Sequence, residues 1–460
     1  MKNLIITFFV CISFSGISQS LPDISFPNLY DWKYVGNNPL VVSLGRYTSL
    51  ALSPQGIPFI GFSDGNNNWK VTVMKFNGSG WDTVGQSGFS SGQAEYIDLR
   101  FNLSGVPYVA YKDYGNSSKA TVMKFNGSTW YVVGNPGISA GSVYCTSLAI
   151  NSSGVPYIAF IDVANAQKAT VMKFDGNNWT SVGNSGFSPK AAGYLKIAMS
   201  PDDIPFVTFL NGDTMRLLVM KFNNTAWSVV GNGYISPFWA AFPNLAFSNT
   251  SELYLAYCEA TGQYTSSVTV KKFVGSNWEV VGPQNISAGD AGYSNIAINS
   301  SGVPFVGYQD FYYGGWTSVK KFNGSNWEYI GDPGFGSTHP HNLQLAINFD
   351  GNPYIASDAN GITVMKYDSV YVGLNKKSSL KLTLSPNPVK NELVIETKSD
   401  IKKFTELSIL NSSGLVIYKC NSKWSGRTTL NTANWQAGIY FVLLSDDNNF
   451  YKARFIKLNE

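Results

Sequence analysis

The chain has 460 residues, of which 44% are hydrophobic, 15% aromatic and only 13% charged. This balance excludes a disordered chain, a coiled coil and a helical bundle, which need far more Glu, Lys, Ala and Leu, and it predicts an all-β protein. Residues 376–460 hold 13 Lys and Arg against 7 Asp and Glu, whereas residues 1–375 hold 20 against 22, so the main body has no charge pattern for nucleic acid.

The first 18 residues have the pattern of a secretory signal peptide. Lys2 supplies the positive end, and residues 4–14 form an apolar run that is too short to span a membrane. Small Gly16 and Ser18 fit the positions before cleavage at Gln19. No later run reaches the roughly 18 apolar residues of a membrane helix. We therefore predict export of a mature chain without a transmembrane segment.

A repeat of about 49 residues organises the chain up to residue 374. Each repeat contains a tryptophan that is closely followed by a glycine, and these tryptophans are Trp32, Trp81, Trp130, Trp179, Trp227, Trp278 and Trp327. Each complete unit has four short runs of alternating or β-branched residues separated by glycine turns, and no helical period appears. The pattern is typical of a β-propeller, which has about four to eight four-stranded blades.

The second strands indicate how many blades there are. They begin near Pro58, Pro107, Pro156, Pro205, Tyr254, Pro304 and Pro353, which predicts seven. Residues 32–36 form an orphan fourth strand ahead of the first complete unit, and Tyr371 with Gly373 ends the series in degenerate form. We expect the orphan strand to pair into the last blade, because an open solenoid would leave exposed sheet edges. Residues 19–374 are therefore predicted to form a closed seven-bladed propeller of antiparallel blades.

Two sets of repeated residues are predicted to share one face of the propeller. The second strands end in a short acid or amide, at Asp64, Asp113, Asp162, Asn211, Glu259, Asp310 and, one position early, Asp358. The first strands are preceded by an aromatic residue, at Tyr47, Tyr96, Tyr194, Phe242 and Tyr293, with Tyr144 one place out of step. Carboxylates and aromatic rings together suit the hydroxyls and apolar faces of sugars. Backbone capping by the acids and packing of the rings between blades are the structural alternatives.

Features that depart from the repeat point to more specific sites. The loop 233–239 is unusually aromatic, and its Trp239 is a candidate ligand platform. His339 and His341 are the only histidines of the sequence and weak metal candidates, because no third ligand is identifiable. The channel-facing positions of the first strands are predicted to include one charged pair, Asp98 with Arg100. The full predicted set is Ser49, Asp98, Arg100, Ser147, Lys196, Asn244, Asn295 and Gln344.

The sequence contains no zinc-protease motif, phosphate loop or dinucleotide fingerprint. We therefore predict a monomeric binding module for a glycan or a surface protein, with no cofactor. A polysaccharide-active enzyme is the alternative, because a glycosidase needs only two carboxylates about 5–10 Å apart. The unrepeated acids available for that role are Glu95, Asp98, Asp202, Asp203 and Asp290. A scaffold or adhesin component is a third possibility.

Residues 375–379 are a polar linker, and residues 380–460 form a second, small β domain without the repeat. Several of its motifs occur in the order of one known family, with key residues Pro386, Asn387, Pro388, Gly414, Gly438, Tyr440 and Lys457. This tail resembles the C-terminal sorting domain of the type IX secretion system, a small β-sandwich. The resemblance implies a Bacteroidota-type bacterium, export through the Sec translocon and the type IX machinery, and cleavage of the tail with release or anchoring at the cell surface.

Overall fold

The structure is a computed structural model. It describes residues 29–36, 40, 45–262, 265–336, 339–358, 361–370, 382–397, 406–411, 416–420, 427–445 and 450–458. The predicted signal peptide, the linker 375–379, Tyr371, Gly373 and Gly414 lie outside the described residues. Within the described ranges, no helix is long and apolar enough to cross a membrane.

The first of two compact units, Tyr30–Asp368, contains seven four-stranded antiparallel sheets, which are the blades. In six blades the four strands follow one another in chain order. The seventh blade takes its first three strands from the end of the unit and its fourth from the N-terminal strand Leu29–Tyr34, which pairs with Ile362–Val370. This pairing closes the ring, so the prediction of a closed seven-bladed propeller is confirmed.

The blades are numbered 1 to 7 around the ring, and their strands have the following bounds in that order. First strands are Gly45–Leu52, Ala94–Phe101, Val143–Ile150, Ala192–Met199, Ala240–Phe247, Ala291–Ile298 and Gln344–Ile347. Second strands are Pro58–Asp64, Pro107–Asp113, Pro156–Asp162, Pro205–Asn211, Leu253–Ala260, Pro304–Asp310 and Pro353–Asp358. Third strands are Lys70–Phe76, Lys119–Phe125, Lys168–Phe174, Leu217–Phe222, Ser266–Val274, Trp316–Phe322 and Ile362–Val370. Fourth strands are Trp81–Thr83, Trp130–Val132, Trp179–Ser181, Trp227–Val229, Asn277–Val280, Trp327–Tyr329 and Leu29–Tyr34.

Short 3₁₀ turns follow four of the second strands, at Gly65–Asn67, Tyr114–Asn116, Val163–Asn165 and Phe311–Tyr313. They lie in the loops that lead from the second to the third strand of a blade. The apolar core lies between neighbouring blades, where one face of each sheet packs on the opposite face of the next. Val71 and Val73 of blade 1, for example, pack with Val109, Tyr111 and Met123 of blade 2.

The repeated tryptophans fasten each blade to the preceding one. The indole Nε1 of every repeat tryptophan donates to a backbone carbonyl at the end of the neighbouring fourth strand, over 2.7 to 2.9 Å. The acceptors are Val35, Val84, Val133, Val182, Val230, Val281 and Ile330. Trp32 bonds to Ile330, so the same contact joins blade 7 to blade 6 and completes the ring.

The glycine that follows each tryptophan in the sequence packs against the tryptophan of the next blade. Gly85 has a φ of +73°, and a Cβ on it would lie 3.2 Å from Cδ1 of Trp130. A Cβ on Gly331 would lie 2.9 Å from Cδ1 of Trp32. Only glycine combines this positive φ with so close an approach of an indole ring. The tryptophan–glycine pattern therefore describes contacts between blades.

The second unit contains the described residues from Ser369 onward. A three-stranded sheet has the order Leu382–Ser385, Glu392–Thr397 and Arg427–Asn431. A four-stranded sheet has the order Val416–Cys420, Glu406–Asn411, Gly438–Ser445 and Phe450–Lys457. Both sheets contribute to one apolar core, which includes Ile395 from the first sheet and Val442 from the second. The unit is therefore a small sheet-on-sheet domain with its own core.

Candidate functional site

Near the start of every first strand, one residue other than glycine has a left-handed backbone. These residues, with their φ values, are Tyr47 (55°), Tyr96 (53°), Cys145 (51°), Tyr194 (49°), Phe242 (52°), Tyr293 (50°) and Asn342 (45°). In blades 1 to 6 the strand pairing shifts at this point, which marks a β-bulge. Bulges redirect side chains, and all seven of these residues line one cavity at the centre of the ring.

The cavity has a volume of about 610 Å³, and five aromatic rings belong to its lining. We call its five rings, from Tyr47, Tyr96, Tyr194, Phe242 and Tyr293, the aromatic rim. Ring centroids are 5.1 Å apart for Tyr47 and Tyr96, 5.1 Å for Tyr194 and Phe242, and 4.6 Å for Phe242 and Tyr293. The structure thus brings together the five aromatic residues that were predicted from the sequence. The rings of Tyr194, Phe242 and Tyr293 form a continuous aromatic arc over blades 4 to 6.

The two remaining rim positions are smaller. Cys145 occupies the place in blade 3, and Asn342 occupies it in blade 7. Tyr144, one residue before Cys145, lies outside the rim with 40% of its surface exposed. Its ring instead lies 4.9 Å from the Lys112 ammonium, which also forms an ion pair with Glu95 at 3.3 Å. Two gaps therefore interrupt the rim. Tyr144, which is one place out of step in the sequence, is also displaced from the rim in the structure.

The phenols of the aromatic rim remain protonated at neutral pH. Partial burial raises the pKa of Tyr47, Tyr96, Tyr194 and Tyr293 above the usual value for tyrosine. The hydroxyls of Tyr96, Tyr194 and Tyr293 can therefore donate a hydrogen bond to a ligand, whereas that of Tyr47 is bonded to Glu95. The ring faces provide an apolar surface. The rim combines both properties at the entrance of a single cavity.

Two residues beyond the rim, the first strands of blades 1 to 3 use their side chains to join the blades. Ser49 Oγ accepts the backbone N–H of Leu99 at 2.9 Å, and Asp98 accepts that of Leu148 at 2.9 Å. Ser147 Oγ accepts the N–H of Ile197 at 3.2 Å. None of the three side chains lines the central cavity. These channel-facing positions are therefore occupied by structural hydrogen bonds.

The predicted charged pair exists, but its position differs from the prediction. Arg100 Nε lies 3.0 Å from Asp98 Oδ1, and it also donates to the carbonyl of Leu148 at 3.2 Å. Asp98 is only 2% exposed. The pair therefore clamps blade 2 against blade 3 and does not line the cavity, because the carboxylate satisfies backbone and hydroxyl groups of the neighbouring blade.

Blades 4 to 7 present their equivalent side chains to the cavity. We call Lys196, Asn244, Asn295 and Gln344 the polar wall. Asn295 Nδ2 donates to the carbonyl of Leu343 at 3.3 Å, whereas the other three side chains form no hydrogen bond or ion pair with another described residue. Lys196 is the one charged residue among those that line the cavity in the described part of the chain. The sequence predicted that these residues face the channel, but it did not show which side chains would have no hydrogen-bond partner in the protein.

The acids that end the second strands are buried in their own loops. Asp113 is fully buried and accepts from the Gly115 N–H at 3.0 Å, Asn116 Nδ2 at 2.7 Å and Thr121 Oγ1 at 3.1 Å. The same three types of bond hold Asp64 and Asp162. The remaining acids of this set, Glu259, Asp310 and Asp358, are also buried. The structure therefore holds Asp64, Asp113 and Asp162 in their own loops, away from the aromatic rim with which the sequence grouped them, whereas Asp358 lies beside the rim.

Replacing Asp113 with alanine is expected to destabilise the propeller without changing its ligand affinity. Loss of the N-cap acceptor costs about 1–2 kcal/mol. Urea unfolding of Asp113→Ala and of the exposed control Asp82→Ala measures this difference. A stable variant with weakened binding would instead place Asp113 in the binding site.

The other unrepeated acids are dispersed around the propeller. Asp203 accepts the backbone N–H of Ser152 at 2.7 Å, and Asp290 accepts that of Ser266 at 2.8 Å. Glu95 is paired with Lys112. Neither these three nor Asp202 belongs to the lining of the central cavity. The structure therefore does not bring the predicted enzymatic carboxylates together there.

Trp239, His339 and His341 do not line the central cavity, although the His341 ring packs against the aromatic rim. Trp239 lines a second cavity of about 710 Å³ with Phe238, Ala260 and Thr261. The His341 ring lies 5.7 Å from that of Tyr293. Among the described residues, no group of three or more His, Cys, Asp and Glu side chains could hold a metal ion. Trp239 therefore marks a separate apolar surface.

Asp358 is a buried acid beside the rim whose role the sequence did not reveal. Its carboxylate accepts from Asn342 Nδ2 at 3.0 Å and from the backbone N–H of Thr48 at 3.1 Å. It therefore links blade 7 to blade 1 at the gap of the aromatic rim. Burial raises the pKa of Asp358 to about 6, against its hydrogen bonds to Asn342 and Thr48, which lower it.

The motif residues of the C-terminal unit hold its last strand. Asn387 Nδ2 donates to the Arg454 carbonyl at 2.9 Å, and its Oδ1 accepts the N–H of Ile456 at 3.0 Å. The peptide bonds that precede Pro386 and Pro388 are cis. The Tyr440 ring stacks on Phe455 with centroids 5.3 Å apart.

Two further motif residues lie opposite each other in this sheet. Gly438 pairs with Lys457 at the start of Gly438–Ser445. Lys457 is only 3% exposed and donates from Nζ to the carbonyl of Leu458 at 2.6 Å. The described motif residues therefore connect the start of the unit to its final strand.

Comparison with protein families decides the nature of this unit. The model of the secretion system C-terminal sorting domain matches residues 383–458. These residues are a type IX secretion sorting domain. The resemblance inferred from the sequence is confirmed, and the protein is exported to the cell surface or secreted. No curated protein matches the chain.

Solved structures similar to the chain are distant in sequence. A fungal alcohol oxidase of the AA5 family, determined with copper, has 12% identity and a TM-score of 0.51, over 94% of this chain and 99% of the oxidase. The PL25 ulvan lyase, a polysaccharide lyase, has 11% identity and a TM-score of 0.46, over 72% and 94%. AofleA from Arthrobotrys oligospora has 11% identity and a TM-score of 0.44, over 66% and 90%. At these identities the likeness to the oxidase concerns the fold alone.

Proposed function

We propose that the propeller is an exported binding module that holds a glycan at the aromatic rim. The observation that carries this proposal is the set of five rings that surround one cavity on strained backbone. Glycine takes a positive φ without cost, whereas a bulky side chain there costs of the order of 1 kcal/mol or more. Glycine would meet the backbone requirement at these five positions at lower cost. The presence of aromatic residues there therefore supports a role for their side chains in ligand binding.

The chemistry of the cavity fits a sugar. Its volume of about 610 Å³ lies within the usual range for small-molecule pockets, about 300–1,000 Å³. Aromatic faces can stack against the apolar face of a pyranose, and protonated phenols can donate to its hydroxyls. The amides of Asn244 and Gln344 can both donate and accept.

The lining of the cavity favours binding over hydrolysis. A glycosidase requires two carboxyl groups about 5–10 Å apart across the scissile bond. Among the described residues that line the cavity there is one ammonium, on Lys196, and no carboxylate. A polysaccharide-active enzyme and a protein-binding module are the competing functions, and a binding experiment distinguishes them.

We further propose a route of export and a domain organisation. Residues 1–18 would direct the chain to the Sec translocon, and the sorting domain to the type IX machinery of a Bacteroidota-type cell. The propeller would span residues 19–374, followed by the linker 375–379 and the tail 380–460. The mature protein would then act as a monomer, released or held at the cell surface.

The test is a glycan-array screen of the purified protein, followed by affinity measurement on the best ligand. Tyr194→Asn and Tyr96→Asn remove rings while retaining the backbone, because Asn342 occupies the same position with a φ of 45°. Each variant is expected to weaken binding about tenfold, as stacking on one ring contributes roughly 1–1.5 kcal/mol. Tyr131→Asn, at an exposed tyrosine outside the rim, is the control and should bind normally.

Three results would contradict the proposal. Equal binding by Tyr194→Asn and the unaltered protein would remove the rim from the site. If the protein binds no glycan on the array, a protein ligand becomes the favoured alternative. New reducing ends or unsaturated sugars after incubation with the bound polysaccharide would identify an enzyme.

A further inference from the structure

We propose that the cavity takes an acidic saccharide, whose carboxylate or sulfate group binds the Lys196 ammonium and the amides beside it. This inference rests on the proposed function and names the chemical class of the ligand. It follows from an asymmetry that the sevenfold repeat does not explain. At one and the same strand position, the side chains of blades 1 to 3 form hydrogen bonds to the next blade and do not line the cavity, whereas those of blades 4 to 7 line it. Asn295 of blade 6 does both, because it also donates to the Leu343 carbonyl of blade 7.

Lys196 has a positive charge without a counter-ion in the described part of the chain. Its side chain is partly buried, lines the cavity and forms no ion pair or hydrogen bond with another described residue. The acid at the equivalent position, Asp98, is paired with Arg100 in blade 2. Partial desolvation of an ammonium is unfavourable unless an opposite charge compensates it. An anionic ligand would supply that charge.

The neighbours of Lys196 can complete the anion site. Asn244, Asn295 and Gln344 follow in the next three blades and line the same cavity. Side-chain amides donate N–H groups, and bonds from such donors and from an ammonium to an anionic oxygen are among the stronger hydrogen bonds in proteins. No carboxylate belongs to the described cavity lining.

The aromatic arc lies on the same strands as the polar wall. Tyr194 is two residues before Lys196, Phe242 two before Asn244, and Tyr293 two before Asn295. A β-bulge lies at each pair, and both members of each pair line the cavity. A sugar ring stacked on the arc would therefore present its acidic substituent to the polar wall.

Matched pairs of ligands test this directly. Isothermal titration with the purified full chain compares oligogalacturonate with its carboxyl-reduced counterpart, and a sulfated carrageenan oligosaccharide with its desulfated counterpart. The protein is expected to bind the acidic member of at least one pair ten times more tightly or better. The pair that shows the preference distinguishes carboxylate from sulfate.

Three variants assign the preference to Lys196. Lys196→Gln, which installs the side chain found at the blade 7 position, is expected to bind both members of the pair equally. Lys196→Arg should retain the preference. Lys173→Gln removes the same charge from an exposed position on a third strand and should behave as the unaltered protein. Thermal unfolding checks that all three variants are folded.

The failures of the inference and of the proposed function are distinguishable. Equal affinity of the unaltered protein for both members of each pair, with binding still weakened by Tyr194→Asn, would overturn the acidic ligand and leave the glycan module intact. A preference that survives in Lys196→Gln would overturn the assignment to Lys196. An absence of binding to all four oligosaccharides and to the glycan array would overturn both proposals.

Discussion

Trp130→Ala is expected to lower the free energy of unfolding of the propeller by about 3–5 kcal/mol, the usual cost of removing a buried aromatic side chain. The Trp130 ring is 8% exposed and stacks on Phe89 of the preceding loop, with centroids 4.6 Å apart and planes 5° apart. Its Nε1 donates to the Val84 carbonyl at 2.7 Å. Truncation would leave a cavity between blades 1 and 2 and an unpaired carbonyl.

Two variants separate the contributions to this loss. Trp130→Phe retains an aromatic ring but not the N–H, and is expected to cost about 1–3 kcal/mol from the unpaired carbonyl and the smaller ring. Tyr131→Ala, at the next residue and 41% exposed, is the control and should change stability by less than about 1 kcal/mol. Urea unfolding followed by tryptophan fluorescence and circular dichroism measures all three. A Trp130→Ala variant as stable as the control would show that the indole contact does not hold the blades together.

Titration of Asp358 is expected to lower the stability of the propeller as the pH rises from about 4 to about 6, and the Asp358→Asn substitution is expected to remove this part of the pH dependence. Burial raises the pKa of Asp358 from 3.8 to about 6. Between these values the folded state binds the proton that the unfolded state has released, so raising the pH favours unfolding. The full contribution of the neutral carboxyl is present below pH 4 and is lost above about pH 6.

The asparagine variant retains the shape of the protonated acid without its charge. Its advantage over the unaltered protein should grow from near zero at pH 4 to about 2–3 kcal/mol above pH 6, because a shift of about two pKa units corresponds to nearly 3 kcal/mol. Urea unfolding at intervals between pH 4 and pH 8 gives the two curves. Asp350→Asn, at an exposed acid of the same blade, is the control and should follow the unaltered protein. Parallel curves for Asp358→Asn and the unaltered protein would refute the raised pKa.

Much of the architecture was predictable because its signals are local in the chain. Glycine turns, period-two alternation and the repeated tryptophan each act within a few residues, and seven copies made the pattern hard to mistake. The orphan strand near Trp32 even indicated ring closure, since a leftover strand needs a partner. The sorting domain was identified for the same reason, because several short motifs occur in one order around Asn387 and Tyr440.

Contacts between repeats were beyond the reach of such reasoning. The tryptophan and glycine of one unit look like partners in sequence, yet Gly85 packs against Trp130 of the next blade. Asp113 looks like a surface ligand, yet its oxygens are occupied by its own loop and neighbouring hydroxyls. Burial and hydrogen-bond partners depend on which chain segments meet, and that is a property of the folded ring.

By itself, the sequence determined the class of fold, the number of blades, the closing strand and the exported tail, because turn chemistry and strand periodicity operate over short distances. It also selected the five rings of the aromatic rim. Only the tertiary structure decided that a bulge turns these rings into one cavity. It alone showed that Ser49 and Asp98 bond to the neighbouring blade while Lys196 faces the cavity unpaired, since hydrogen-bond partners on another blade are brought within reach only when the ring is folded.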